Sequence, residues 1–130
     1  MTGECLFLDV DCIMHKDVRH VFDTEFDVAA TIRYKQKWIG TLPFSAGVTF
    51  CRTPEFMRDV AGDNPFGHGN WMDTEAKYSA ALMSGKYVVR ALNGYVYNYA
   101  PDAPGEDLSE KAVVHYKGKR KSFLYKESGE

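Results

Sequence analysis

The sequence lacks a long hydrophobic run and a marked excess of charge of either sign. No stretch approaches the roughly 20 consecutive apolar residues of a membrane-spanning helix, so we expect no membrane span. The 16 basic and 18 acidic side chains give a net charge of −2. Such a balance disfavours nucleic acid as a partner, because a polyanion needs a large basic surface.

Cysteines are few and show no regular spacing. Cys5, Cys12 and Cys51 are odd in number and form no C-x-x-C motif, which favours free thiols in a reducing compartment and argues against structural zinc. The N-terminus also lacks the basic and apolar regions of a signal peptide. We therefore expect a cytoplasmic protein.

The length and composition predict one globular domain spanning residues 1–130. Apolar residues make up 45% and charged residues 26% of the chain, which excludes a disordered chain. Short apolar runs alternate with helical patterns, which indicates an α/β fold with both faces of the sheet covered. Strands are predicted over 5–9, 27–32, 46–51 and 112–116, and helices from Thr53-Pro54 onward and over 73–83.

A turn signal lies late in the chain. The pair Asn93-Gly94 separates two short apolar runs, 87–92 and 96–99. Because Asn-Gly is favoured in two-residue β-turns, this pattern predicts a β-hairpin.

Asp9 and Asp11 follow an apolar strand with one residue between them. Alternation places both carboxylates on one face, and at a strand end they project beyond the sheet. Hard divalent cations such as Mg²⁺ or Mn²⁺ prefer such oxygen ligands and leave positions open for substrate phosphate. The same residues also fit a polar turn after a strand, and the D-x-D spacing alone does not separate the two interpretations.

A second cluster, His115-Tyr-Lys-Gly118-Lys-Arg-Lys121, follows the last predicted strand. His115 can bind a metal through its imidazole, Gly118 allows close approach of an anion, and Lys121 offers a point charge for phosphate. The basic residues alone also fit a solvated turn. Together with the two aspartates, they favour a divalent metal plus a diphosphate, because the ion neutralises the charge of a departing diphosphate.

These motifs resemble a known family. The segment Leu6-Phe-Leu-Asp-Val-Asp11 is similar to the D-x-D strand of metal-dependent, retaining nucleotide-sugar glycosyltransferases of the GT-A type. Within that type it most resembles the glycogenin-like and lipopolysaccharide-galactosyltransferase-like family. The segment from His115 to Phe123 resembles the family's H-x-x-G-x-x-K-P-W motif, with serine and phenylalanine in place of its last two residues.

Three further landmarks follow in the family's order. Phe44-Ser-Ala-Gly-Val48 resembles its N-S-G-V strand, with serine and alanine in place of the first two residues. Trp71-Met-Asp-Thr-Glu75 resembles its W-x-D-Q helix start, with threonine in place of glutamine. Tyr97-Asn98 resembles its Y-N or F-N step.

The resemblance implies both a fold and an activity. The fold is an α/β, truncated GT-A-like mixed sheet with flanking helices that lacks the N-terminal nucleotide-binding half, because only eight residues precede Asp9. The activity is that of a hexosyltransferase-type, metal-dependent glycosyltransferase, or its catalytic half, using a nucleotide diphosphate sugar and an unknown acceptor. The alternative is a non-catalytic remnant that binds metal, diphosphate or sugar, or serves assembly.

By position, the resemblance also implies roles for single residues. Asp9, Asp11 and His115 would bind Mn²⁺ or Mg²⁺. Gly118 and Lys121 would contact the diphosphate.

Two further residues belong to the sugar side of the resembled site. Asp73 would lie near the sugar and acceptor as the catalytic residue, and Gly47 would line the sugar pocket with its backbone.

In the resembled fold the strand over 5–9 has neighbours from the half that is missing here. We therefore expect a homodimer or a separate partner chain to cover this apolar strand edge.

Overall fold

A computed structural model describes residues 3–34, 43–61 and 71–127, with the backbone alone for 71–73 and 125–127. The strands are β1 (Cys5–Leu8), β2 (Cys12–Met14), β3 (Val28–Ile32), β4 (Phe44–Cys51), β5 (Val89–Asn93) and β6 (Val113–His115). The α-helices are α1 (Pro54–Ala61), α2 (Trp71–Leu82), α3 (Gly94–Tyr97) and α4 (Lys121–Glu127), and 3₁₀ turns span Arg19–Asp23 and Gly118–Arg120.

Four strands form a mixed sheet in the order β1-β4-β3-β5. Strand β4 pairs antiparallel with β1 and with β3, and β3 pairs parallel with β5. Strands β2 and β6 form a separate antiparallel ribbon. The predicted α/β class, with a mixed sheet and flanking helices, is confirmed, whereas the truncation relative to the GT-A fold stays a prediction.

The sheet buries apolar side chains on both faces because β3 alternates between them. Val28 and Ala30 belong to one core cluster, and Ala29 belongs to the other. Helix α1 contributes Phe56 to the first cluster, and α2 contributes Tyr78. Both faces are therefore covered, as the alternation of strands and helices predicted.

Helix α1 begins where the sequence indicates, whereas α2 begins two residues before the predicted start at Asp73. Pro54 occupies the first position of α1, where its missing N–H costs no hydrogen bond. Helix α2 ends at Leu82, and Gly85 follows with φ +83°, in the region that favours glycine.

None of the helices in the described ranges is long and apolar enough to cross a membrane.

The predicted hairpin at Asn93-Gly94 is wrong. Asn93 ends β5, and its side chain accepts a hydrogen bond from the Tyr95 N–H at 2.9 Å, so it caps α3 instead of entering a turn. Tyr99 then forms a parallel bridge with Val114 instead of pairing with β5. The helical turn carries the chain away from the sheet edge and brings Asn98 next to β6.

Strand β1 lies at one edge of the mixed sheet. Within the ranges that the structure describes, only β4 pairs with it. Phe7 on β1 and Ile13 and Met14 on β2 expose large apolar side chains nearby. That a second copy of the chain or a partner chain covers the β1 edge stays a prediction.

Candidate metal centre

The two sequence motifs meet where the chain leaves β1. The Asp9 N–H donates to the Gly47 carbonyl at 2.9 Å, which holds the chain against β4 before it enters β2. The Tyr116 N–H donates to the Asp11 carbonyl at 2.9 Å, beside the β2–β6 ribbon. These backbone contacts bring the D-x-D segment and the end of β6 to the same place.

The side chains of Asp9, Asp11 and His115 converge there. Nε2 of His115 lies 2.9 Å from Oδ1 of Asp11 and 3.5 Å from Oδ2 of Asp9. The exposed fraction of the side chain is 5% for His115, 16% for Asp11 and 59% for Asp9. The site is therefore closed behind the imidazole and open to solvent on the Asp9 side.

Asn98 determines which ring nitrogen of His115 faces the carboxylates. Its Nδ2 donates to the Ala46 carbonyl at 3.2 Å and to Oγ1 of Thr31 at 3.0 Å, while Thr31 itself donates to the Ser45 carbonyl. Oδ1 of Asn98 therefore faces Nδ1 of His115, 3.0 Å away, and accepts a hydrogen bond from the Nδ1–H group. In the neutral ring this leaves the lone pair of Nε2 directed at Asp11.

Such an arrangement favours a bound cation. Burial lowers the pKa of His115 and outweighs the opposing effect of Asp11, so the neutral ring is favoured. A lone pair and a carboxylate oxygen repel each other at this distance unless a positive charge lies between them. Two ligand atoms at about 2.1 Å from one octahedral ion lie about 3 Å apart, which suits the 2.9 Å from Nε2 of His115 to Asp11 and is close to the 3.5 Å to Asp9. The imidazole nitrogen and the Asp11 carboxylate thus fit a divalent metal, which the exposed Asp9 would join through a side-chain shift.

Cys12 adds a thiol that the sequence analysis did not assign to the site. It lies opposite His115 in the β2–β6 register, and ligand atoms of Asp11, Cys12 and His115 all lie within 4.8 Å of one another. In the described part of the chain, no other group of three His, Cys, Asp or Glu residues is this compact. Burial, followed by the charges of Asp9 and Asp11, raises the pKa of this thiol to about 12. Its position directly after Asp11 is a sequence signal for this neighbour, and the strand register places it opposite His115.

Gly47 forms the wall behind the imidazole. Its φ is +107°, and a Cβ at this position would lie 2.6 Å from Cε1 of His115 and 3.1 Å from Oδ2 of Asp9. Any side chain here would displace the residues that converge at the site. The predicted contact of Gly47 with a sugar stays a prediction.

Lys121 lies beside the centre, and Gly118 begins the 3₁₀ turn that precedes it after β6. Nζ of Lys121 is 4.0 Å from Oδ2 of Asp11, and the lysine side chain is 64% exposed. Gly118 has φ +62°, and a Cβ there would meet no atom within 4 Å, so its backbone faces open space. A cation next to the carboxylates suits an anion bound to a metal.

Asp73 lies in the first turn of α2, and its side chain is outside the described part of the structure. Two residues later, buried Glu75 accepts hydrogen bonds from Nη2 of Arg33 at 3.0 Å and from the Ala46 N–H at 3.3 Å. Burial raises the pKa of Glu75, and Arg33 opposes this effect. Because Ala46 adjoins Gly47, the ion pair ties α2 to β4 close to the candidate centre.

No family model matches the chain, and no curated protein matches its sequence. Among solved structures, the chain is similar to one described as the crystal structure of a glycosyltransferase involved in the glycosylation of the major capsid of PBCV-1. The TM-score is 0.61 at 15% sequence identity, and the match covers 96% of this chain and 66% of the other. The chain thus shares its fold with a glycosyltransferase and spans about two thirds of that structure's length.

Proposed function

We propose that this chain is a metal-dependent glycosyltransferase, or the catalytic half of one, that transfers a sugar from a nucleotide diphosphate sugar to an acceptor. The convergence of Asp9, Asp11 and His115 in a chain with the fold of a glycosyltransferase carries the proposal. Oxygen ligands and a neutral imidazole suit Mn²⁺ or Mg²⁺.

Each residue of the centre has a separate task in this proposal. Asp11 and His115 supply the buried ligands, and Asp9 supplies the exposed one. Asn98 holds the proton on Nδ1 of His115 and so keeps Nε2 available as a ligand. A divalent ion held by these residues would supply the positive charge that neutralises a departing nucleoside diphosphate.

The diphosphate is bound on the open side of the centre. Lys121 supplies a positive charge close to Asp11, and the uncovered backbone of Gly118 allows a phosphate to approach closely. Asp73 faces the sugar and acceptor in this proposal, which rests on the resemblance of the α2 start to the W-x-D-Q segment. The remaining contacts to base and ribose would come from a nucleotide-binding half.

Turnover of nucleotide sugars tests the proposal without knowledge of the acceptor, because water can replace it. The protein is incubated with a panel of nucleotide diphosphate sugars, with and without Mn²⁺, and the released nucleoside diphosphate is measured. We expect metal-dependent release that Asp11→Asn and His115→Ala abolish. Asp107→Asn, which changes an exposed loop carboxylate that accepts a hydrogen bond from the Ser109 N–H, is the matched control and should retain release.

Absence of release from every sugar would contradict the transferase. If the same protein still bound a nucleoside diphosphate in a Mn²⁺-dependent manner, the function would be that of a non-catalytic module that binds metal and diphosphate.

A further inference from the structure

We propose that Asp11, Cys12 and His115 form a binding site for Zn²⁺ that overlaps the proposed Mn²⁺ or Mg²⁺ site and competes with it. The inference rests on the same centre as the proposed function but on a different set of donors. The Cys12 sulfur replaces the Asp9 carboxylate as the third ligand.

The strand register puts the three donors together. Cys12 and His115 are directly opposite in the β2–β6 ribbon, and Asp11 precedes Cys12. Their ligand atoms lie within 4.8 Å of one another, and the imidazole and the Asp11 carboxylate are already 2.9 Å apart. Ligands of a tetrahedral zinc ion lie about 3.4–3.6 Å apart, given bond lengths of about 2.0–2.3 Å. Side-chain shifts of about 1 Å therefore close the triangle around an ion.

The Cys12 side chain packs at the margin of a core cluster, and one hydrogen bond holds its sulfur. The thiol donates one long hydrogen bond of 3.6 Å to the Gly47 carbonyl, and the side chain is half-buried. His115 needs no change, because Asn98 already fixes the tautomer that a metal ligand requires. The open side next to Asp9 leaves a fourth position for water or for Asp9 itself.

Binding converts the thiol to a thiolate. The S–H bond of Cys12 breaks, the sulfur keeps the electron pair and forms the bond to zinc, and the proton passes to solvent. A thiolate favours Zn²⁺ and Co²⁺ over Mn²⁺ and Mg²⁺, which prefer oxygen ligands. Nitrogen, oxygen and sulfur sites also bind Zn²⁺ more tightly than Mn²⁺ in general, so we expect zinc to displace manganese from the centre.

Absorption spectroscopy with Co²⁺ as a probe tests the site directly. Reduced, metal-free protein without an affinity tag is titrated with Co²⁺, and we expect a thiolate-to-cobalt charge-transfer band that one equivalent of Zn²⁺ removes. Cys12→Ser should lose the band and weaken Zn²⁺ binding by about 100-fold or more, since loss of a ligand's outer partner alone costs about 10–100-fold. Cys5→Ser, a half-buried cysteine on β1, is the matched control and should keep the band.

The outcomes separate this inference from the proposed function. Co²⁺ binding without a charge-transfer band in the wild-type protein, or a band that survives Cys12→Ser, would overturn the thiolate site. The wild-type protein is also titrated with UDP in the presence of Mn²⁺. A charge-transfer band without Mn²⁺-dependent UDP binding would support the zinc site and contradict the metal–diphosphate centre on which the proposed function rests. Mn²⁺-dependent UDP binding without the band would support that centre and overturn the zinc site.

Discussion

Asn98 accepts a hydrogen bond from Nδ1 of His115 at 3.0 Å, and this contact leaves Nε2 facing Asp11. The amide of Asn98 is itself held by donation to the Ala46 carbonyl and to Thr31, so the orientation of the imidazole depends on β3 and β4 as well as on its own strand. The centre is therefore prepared by buried neighbours before any ion binds.

Loss of this buried contact is expected to weaken the metal site. Asn98→Ala should lower Mn²⁺ affinity by about 10–100-fold, because the ring loses the partner that fixes its tautomer and orientation. Calorimetric titration of Mn²⁺ measures the change. Asn93→Ala is the control, since Asn93 caps α3 without touching His115, and it should cost about 1 kcal/mol of stability while leaving the affinity intact. Equal Mn²⁺ affinity in the Asn98 variant and the wild type would contradict the assigned role.

Lys121 is expected to act on the diphosphate and not on the metal. Lys121→Ala should weaken pyrophosphate binding to the Mn²⁺-loaded protein by about 1.5–3 kcal/mol, the usual value of a charge-assisted hydrogen bond. Mn²⁺ binding by itself should change little, because the ammonium group cannot be a ligand. Lys119→Ala changes an exposed lysine of the same basic segment and should leave both affinities unchanged. If Lys121→Ala weakened Mn²⁺ binding as much as pyrophosphate binding, the assignment of Lys121 to the diphosphate would be wrong.

Gly47 permits comparison of a crowded and an uncrowded glycine of similar backbone conformation. Gly47→Ala should abolish Mn²⁺ binding, because the new Cβ would lie 2.6 Å from the His115 ring. Gly105 has φ +78° with no atom within 4 Å of a Cβ, so Gly105→Ala should cost only the backbone strain of about 1–3 kcal/mol and keep Mn²⁺ binding. Denaturant unfolding and calorimetry on both variants give the comparison. A folded Gly47→Ala protein with normal affinity would contradict the packing described here.

The buried Arg33–Glu75 pair is expected to matter for stability. Arg33→Ala should lower the free energy of unfolding by about 3–5 kcal/mol, because it leaves a buried carboxylate without its partner. Arg19→Ala removes an exposed ion pair with Asp17 and should leave stability unchanged within experimental error.

The contribution of the Arg33–Glu75 pair to the free energy of unfolding depends on pH. Burial raises the pKa of Glu75, so the folded state binds more protons than the unfolded state just above the ordinary carboxyl range. The stability of Arg33→Ala should therefore fall as pH rises through that range, more steeply than in the wild type. Urea unfolding between about pH 4 and pH 7 measures the slopes. Parallel slopes would contradict the link between Arg33 and Glu75.

Local sequence patterns predicted the outline of the fold and part of the site. Asp9 and Asp11 were found because strand alternation and the position at a strand end are visible in a few consecutive residues. His115 was found because it ends the last apolar run of the chain. Thr53-Pro54 marked the start of α1 for the same reason, since the signal is local.

The sequence analysis did not predict the residues whose place at the candidate site depends on strand pairing. Cys12 directly follows Asp11, but its place at the centre depends on its register opposite His115, which the sequence does not show. The sequence analysis places Asn98 in a hairpin strand because Asn93-Gly94 is typical of a β-turn. The same pair also fits a helix cap. In the structure β5 pairs parallel with β3, and Asn93 caps α3. The partnership of Arg33 with Glu75 likewise joins distant parts of the chain, since Arg33 directly follows β3 and Glu75 lies in α2.

Pyrophosphate binding with and without Mn²⁺ tests the central claim most directly, because pyrophosphate needs no contacts to base or ribose. Calorimetric titration of the wild type and Asp11→Asn should show pyrophosphate bound by the wild type only when Mn²⁺ is present, and by the Asp11 variant under neither condition. Binding that is independent of Mn²⁺, or that persists in Asp11→Asn, would contradict a metal–diphosphate centre built on Asp9, Asp11 and His115.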